Sequence, residues 1–182
     1  MNQPASKPED CASGSTAAPR DAPTIAQPNT SVITRMNISA SPAQVWRSLM
    51  FYEQIEEPPP LHLRLLLPLP IGTEGSKLAV GDQATCLYKG GHLLKHVTKI
   101  DPCRNYEFTI VEQRLTIGSG VLLCGGCYTL SELPGRRTEL AVTTRYISTK
   151  RYRWLRKPIE TTVCHLFHRH LLSAIRNKAM SH

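Results

Sequence analysis

The chain is 182 residues long, 41% hydrophobic and 20% charged, with a formal net charge of +8 at pH 7. That length and balance suit one soluble globular domain able to bury about two-thirds of its unfolded surface. No run reaches the roughly 18 apolar residues of a membrane-spanning helix. The six cysteines (Cys11, Cys86, Cys103, Cys124, Cys127, Cys164) lack the spacing of a disulfide framework, so reduced thiols and a cytoplasmic location are expected.

Residues 1–30 are rich in Pro, Ala, Ser and Thr without apolar periodicity. Such a stretch cannot offset its ordering entropy by burial and reads as a disordered tail. It holds no apolar h-region and is not a secretory signal; Glu9, Asp10 and Asp21 argue against a transit peptide. Residues 31–182 are expected to form the domain. "SVITRMNISA" alternates as a strand, and "SPAQVWRSLM" starts a helix with Ser41 as N-cap, Pro42 at N1, and Val45, Trp46 and Leu49 on one face. "FYEQIEE" reads as a second short helix. Pro58 to Pro70 then forms a leucine-dense, proline-bracketed segment. Five strand-like runs follow, "DQATCLYK", "GHLLKHVTKI", "RNYEFTIVEQR", "VLLCGGCYTLSEL" and "RRTELAVTTRYIS", joined by short Gly- and Pro-bearing turns that imply an antiparallel meander. Trp154 to Lys178 reads as one long helix with Pro158 in its first turn. The fold class is α+β: one curved antiparallel sheet of about six strands, two short helices after the first strand, and a long C-terminal helix over the apolar face.

On that helix Ile159, Val163, Leu166, Phe167 and Ala174 share one face, with His170 near its middle and His165 and His168 on other sides. This rules out a three-histidine metal site on one face. Turn positions set Leu94 opposite Glu112, His96 opposite Ile110, Glu112 opposite Gly126, Ile110 opposite Tyr128, Gly126 opposite Thr144 and Tyr128 opposite Val142. One face then carries Leu94, His96, Tyr106, Phe108, Ile110, Glu112, Tyr128, Leu130, Leu140, Val142 and Thr144, and is expected to look toward the helix. An inward Glu112 either pairs with His96 or His170, lines a wet cavity, or signals a shifted register. The charge is uneven: from Arg145 to His182 nine Lys/Arg stand against Glu160 alone, 9 − 1 = +8, which equals the whole net charge. Cys124 and Cys127 have CxxC spacing, but a strand sends i and i+3 to opposite faces and no further zinc ligands are in sight, so no metal and no cofactor are expected.

The segments "SASPAQVW", "GDQATCLYKGGHLLKHVTKIDP", "YEFTIVEQ", "GGCYTLSELPGRRTELAVTTRY" and "WLRKPIETTVCHLFHRHLLSAI" resemble the SRPBCC superfamily, the START-like helix-grip proteins that include polyketide cyclase/dehydrase-like and lipid-transport proteins. The resemblance covers nearly everything after residue 31. It implies a sheet curled around the C-terminal helix with a deep apolar cavity between them, and carries over no catalytic residue. It implies binding of a lipid, acyl, isoprenoid or polyketide-like molecule; on the register and helix face read above, His96, Glu112, Tyr128 and His170 are expected to orient its polar head, with Phe108, Ile110, Val142, Thr144, Val163 and Phe167 among the lining. Leu61, Leu63, Leu65, Leu66, Leu67 and Leu69 would form a lid over the mouth, or else plug a gap in the core. The alternative is a cyclase-, aromatase- or dehydratase-type enzyme using Glu112 with His96 or His170. Arg151, Arg153, Trp154, Arg156 and Lys157 suit peripheral contact with an anionic membrane. No nucleic-acid motif accompanies the basic terminus, and a nucleic-acid partner is not expected.

Overall fold

A computed structural model describes residues 28–50, 70–115, 120–148 and 153–181. Seven strands form a single sheet: β1 (Thr30–Ile38), β2 (Pro70–Gly75), β3 (Gln83–Tyr88), β4 (Gly91–Asp101), β5 (Asn105–Leu115), β6 (Val121–Leu133) and β7 (Arg137–Ser148). Helix α1 (Pro42–Met50) follows β1, and α2 (Arg153–Met180) follows β7. The order across the sheet is β1-β7-β6-β5-β4-β3-β2, with every pairing antiparallel. Strands β2 to β7 are thus a meander, and β1 lies beside β7. This is the expected α+β helix-grip arrangement with one strand more than anticipated.

The additional strand is β2. Its sequence, "PIGTEG", has no apolar alternation and two glycines, so it carries almost no strand signal. It is held at the sheet edge by β3, across an irregularity between Pro70 and Gly72, and a proline is tolerated at the first position of an edge strand. The expected second short helix, and the segment from Pro58 with its lid leucines Leu61, Leu63, Leu65, Leu66, Leu67 and Leu69, lie outside the described residues.

Helix α1 starts as its sequence dictates. The Gln44 amide N–H donates to Ser41 Oγ at 3.4 Å, and Gln44 Oε1 accepts from the Ser41 backbone N–H at 3.0 Å. This reciprocal cap satisfies two otherwise orphaned donors. Val45 and Leu49 are then buried and Trp46 packs at the core edge. Thr138, fully buried on β7, donates its hydroxyl to the Ala40 carbonyl at 2.8 Å and ties the β1–α1 junction to the sheet.

The C-terminal half of α2 completes the core. Leu171, Leu172, Ile175 and Ala179 pack with Ile38, Val45, Leu49, Val97, Leu130 and Leu140. Burying each such Leu or Ile is worth roughly 1.5–3 kcal/mol. The helix makes its main contacts with α1, β1 and β7. Pro158 falls in its second turn rather than the first, where its missing N–H removes one intrahelical bond. Cys86, Cys124, Cys127 and Cys164 are free thiols, whereas Cys103 is disulfide-bonded, a departure from the expectation of six reduced thiols. Among the described residues, no helix is long and apolar enough to cross a membrane.

Candidate functional site

The concave face of the sheet is built by alternation, interrupted by register shifts in the β2–β3, β4–β5 and β6–β7 ladders. On β6 and β7 the expected register holds: Gly126 faces Thr144 and Tyr128 faces Val142. Leu94 faces Glu112 as expected, but the next pair is Lys95 with Ile110, so Val111 is an extra residue on β5. A bulge of this kind turns every later side chain to the other face. Ile110 therefore points inward, whereas Glu112 points outward, which corrects its expected position. Its side chain is 40% exposed and pairs with Arg114 Nε at 2.5 Å and His92 Nε2 at 3.5 Å on the convex face. His96 faces Thr109 rather than Ile110 and alternates out with His92 and Leu94. Strand β6 is shifted four residues along β5 from the expected pairing: Gly126 faces Phe108 and Tyr128 faces Tyr106. Four is even, so Phe108, Ile110 and Tyr128 keep their inward aspect.

The inward face of β3 to β6 is apolar and aromatic. Cys86, Leu93 and Ile110 are buried together, with Tyr88, Phe108, Leu115 and Leu123 packed against them. Tyr106, Phe108 and Tyr128 form a trio with ring centroids 6.2–6.4 Å apart. Gly126 makes room for it: a Cβ there would meet the Thr143 carbonyl oxygen at 2.5 Å and the Phe108 ring at 3.2 Å. Lys95 is an inward cation on this face, with Nζ 5.1 Å from the Phe108 ring centroid. Beyond the Thr109–Gly125 pair the β5–β6 ladder gives way to one side chain. The Gln113 amide donates to the Val121 carbonyl and accepts from Leu123 N–H, both at 2.9 Å.

Helix α2 is rotated half a turn from expectation. Its inward row is Thr161, Cys164, His165, His168, Leu171, Leu172, Ile175 and Ala179, judged by burial and contacts. At 100° per residue this row lies opposite the stripe of Ile159, Val163, Leu166, Phe167, His170 and Ala174. Ile159 is 62% exposed and Phe167 39%. Val163, Phe167 and His170 thus do not join the inward sheet residues. The reason lies in the partner strands. β1 and β7 present Thr34, Thr144, Tyr146 and Ser148 to the N-terminal half of the helix, and a polar surface is matched by the polar side of α2.

A polar seam results, missed in the sequence except for Thr144. His168, fully buried, lies with Nδ1 2.9 Å from Thr34 Oγ1 and Nε2 2.8 Å from Thr144 Oγ1. His165 Nδ1 is 2.7 Å from the same Thr34 oxygen. The single Thr34 proton can serve only one of the two rings, so the other must offer Nδ1–H to the oxygen. Burial, with the neighbouring His165, lowers the His168 pKa to about 4, so its imidazole is neutral at pH 7. Burial raises the Cys164 thiol to about 11, against a hydrogen bond with Thr144 that lowers it, which makes it an inert thiol. The Tyr146 phenol is raised by burial first and by Glu160 and Cys164 after it; Thr161 beside it counters part of the rise without closing a hydrogen bond of normal geometry. Glu160 Oε1 accepts from Ser148 Oγ at 3.1 Å and pairs with Arg156 at 3.6 Å. The seam works through neutral hydrogen-bonding groups around one carboxylate. Its alternation on β7 (Thr144, Tyr146, Ser148) and its i, i+4 spacing on α2 (Glu160, Cys164, His168) were the available sequence signals.

Among the described residues, no group of three His, Cys, Asp or Glu side chains is placed to hold a metal. An open depression between Asn37, Ser39, Arg176, Asn177, Met180 and Ser181 lies at the far end of α2, away from both the apolar face and the seam; the chemistry places the candidate site on the concave face instead.

No family model and no curated protein matches the sequence. Solved structures do match in fold. The Zhui aromatase/cyclase from Streptomyces sp. R1128 is similar with a TM-score of 0.59 at 15% identity, covering 83% of this chain and 93% of that one. A point mutant of Thalictrum flavum norcoclaurine synthase in complex with a transition-state analogue matches with a TM-score of 0.58 at 15% identity, over 84% of this chain and 95% of that one. A START superfamily protein from Mycobacterium smegmatis matches with a TM-score of 0.58 at 12% identity, over 83% and 97%. At these identities the likeness establishes the START-like helix-grip fold.

Proposed function

We propose that the chain binds a hydrophobic small molecule, a lipid, acyl, isoprenoid or polyketide-like compound, between the concave sheet face and α2. The observation that carries this reading is the division of the inner surface. Helix α2 packs mainly on α1, β1 and β7, while a separate apolar and aromatic face made by Leu93, Phe108, Ile110, Leu115 and Leu123 lies on β4 to β6. An apolar surface bordered by a few convergent polar groups is the usual form of a small-molecule site. Phe108, Ile110 and Tyr128 serve as lining, and Val142 and Thr144 back the site from β7. Peripheral contact with an anionic membrane belongs to the same proposal. Lys157 and Ile159 are exposed together near the start of α2, while Arg156 is drawn toward Glu160.

A cyclase-, aromatase- or dehydratase-type enzyme in the same space is the second reading. Its expected pair, Glu112 with His96 or His170, is not assembled, because Glu112 and His96 face out from the sheet and His170 sits on the far side of α2. Acid–base work would fall instead to His165, Tyr146 and Glu160, which face inward.

Native mass spectrometry of the full chain purified from its host, followed by organic extraction, tests the binding reading. About one hydrophobic molecule per chain is expected. A chain that is empty as purified and also fails to take up the neutral dye Nile red saturably would sink it.

A further inference from the structure

We infer that the site selects a ligand ending in a neutral hydroxyl, an alcohol or phenol, held between Tyr146 and Glu160. This rests on the binding reading above and deepens it. Two buried polar atoms in the seam have no hydrogen-bond partner among the described residues: the Tyr146 hydroxyl and Glu160 Oε2. Tyr146 is 2% exposed and the Glu160 side chain 9%. An unsatisfied buried polar atom is costly and calls for a partner. Glu160 Oε1 accepts from Ser148 Oγ at 3.1 Å, and Ser148 lies two residues from Tyr146 on the same face of β7, so one small group can serve both unsatisfied atoms.

The donor and acceptor balance decides which group that is. Oε2 of an ion-paired carboxylate only accepts, and the Tyr146 phenol, kept protonated by burial, donates. A ligand hydroxyl satisfies both at once, giving its proton to Oε2 and accepting from the phenol. A carboxylate ligand has no proton to give and would meet Glu160 as a like charge. The apolar body has a continuous path away from this point. Tyr146 faces Leu123 across the β6–β7 ladder, and Leu123 packs with the apolar group of Leu93, Phe108 and Ile110. The hydroxyl end therefore lies under the first turns of α2 and the apolar body along β4 to β6.

The test is displacement of Nile red from the full chain at pH 7.5 by 1-dodecanol, dodecanoate and 1-methoxydodecane. Dodecanol should bind at least about tenfold more tightly than either the acid or the ether, since a site built to hydrogen-bond a hydroxyl rejects analogues that cannot reciprocate. Glu160→Gln should narrow the alcohol-to-acid ratio by improving the acid. Tyr146→Phe should weaken dodecanol and the ether alike several-fold, since both oxygens accept from the phenol, and leave the alcohol-to-ether ratio, which Oε2 sets, in place. Equal or tighter binding of dodecanoate overturns the inference and points to the Lys95 end of the face instead. An alcohol-to-acid ratio unmoved by Glu160→Gln, or dodecanol binding unmoved by Tyr146→Phe, also overturns it. If Nile red binds and no preference exists, only this inference fails; if nothing apolar binds, the binding reading fails and takes this one with it.

Discussion

Protonating the interior at His168 should cost stability in a defined pH window. The ring is fully buried between Thr34 and Thr144, and its pKa is lowered from 6.5 to about 4. Because the folded value lies below the unfolded one, the unfolded chain binds more protons between the two. Stability from this group is complete above pH 6.5 and is lost as pH falls toward 4. Linkage gives a loss of about 1 kcal/mol at pH 5.5, growing to about 3 kcal/mol by pH 4. Urea denaturation of the full chain across this range measures it. Carboxylates titrate in the lower part of the window, so the informative quantity is the difference between the protein and His168→Gln. The variant should lose about 1–3 kcal/mol at pH 7.5, because the threonine hydroxyls forfeit their partner. Its deficit should then shrink as the pH falls, as it no longer carries the buried imidazole. A deficit that stays constant from pH 7.5 to 4.5, or a His168 resonance titrating near 6.5 in the folded protein, would refute the reasoning.

Two further outcomes follow from where the charges sit. Glu112→Leu should shift stability by no more than about 0.5 kcal/mol and leave Nile red binding unchanged, since its ion pair with Arg114 and its contact with His92 are solvent-exposed on the convex face; loss of dye binding in this variant would return Glu112 to the site. Lys157→Glu should weaken co-sedimentation with phosphatidylserine vesicles by about 30-fold, from about 1 kcal/mol for the charge removed and as much again for the one added. Unchanged sedimentation, or none by the parent protein, would dismiss the membrane contact.

The strands of the meander were legible because each alternates strongly and ends at a marked turn. The β6–β7 register followed from Pro134-Gly135-Arg136, where φ values of +80° at Gly135 and +56° at Arg136 fix a short loop. The β4–β5 register was right at Leu94–Glu112 and wrong immediately after it, because the extra residue Val111 has nothing in its chemistry to announce a bulge. That single residue moved Glu112 to the convex face, where His96 also lies, and so took the expected catalytic pair out of the cavity.

Helix α2 failed to be legible for a different reason. Apolar residues run along both of its sides, so periodicity offers two inward faces, and the greasier one was chosen. Hydrophobicity selects a face only when the surface opposite is apolar. That holds for Leu171, Leu172, Ile175 and Ala179 over the core. It does not hold for the first half of the helix, where β1 and β7 offer hydroxyl groups from Thr34, Thr144, Tyr146 and Ser148. Those hydroxyls can be satisfied by His168, His165 and Glu160 but not by Ile159 or Phe167. The helix is one rigid rod, so the apolar anchor at one end and the polar seam at the other must agree on a single rotation, and both lie on the same row. The rotation that seats Leu172 and Ile175 therefore also brings Glu160 beside Tyr146, and the helix cannot be turned to hide that unsatisfied pair without emptying the core.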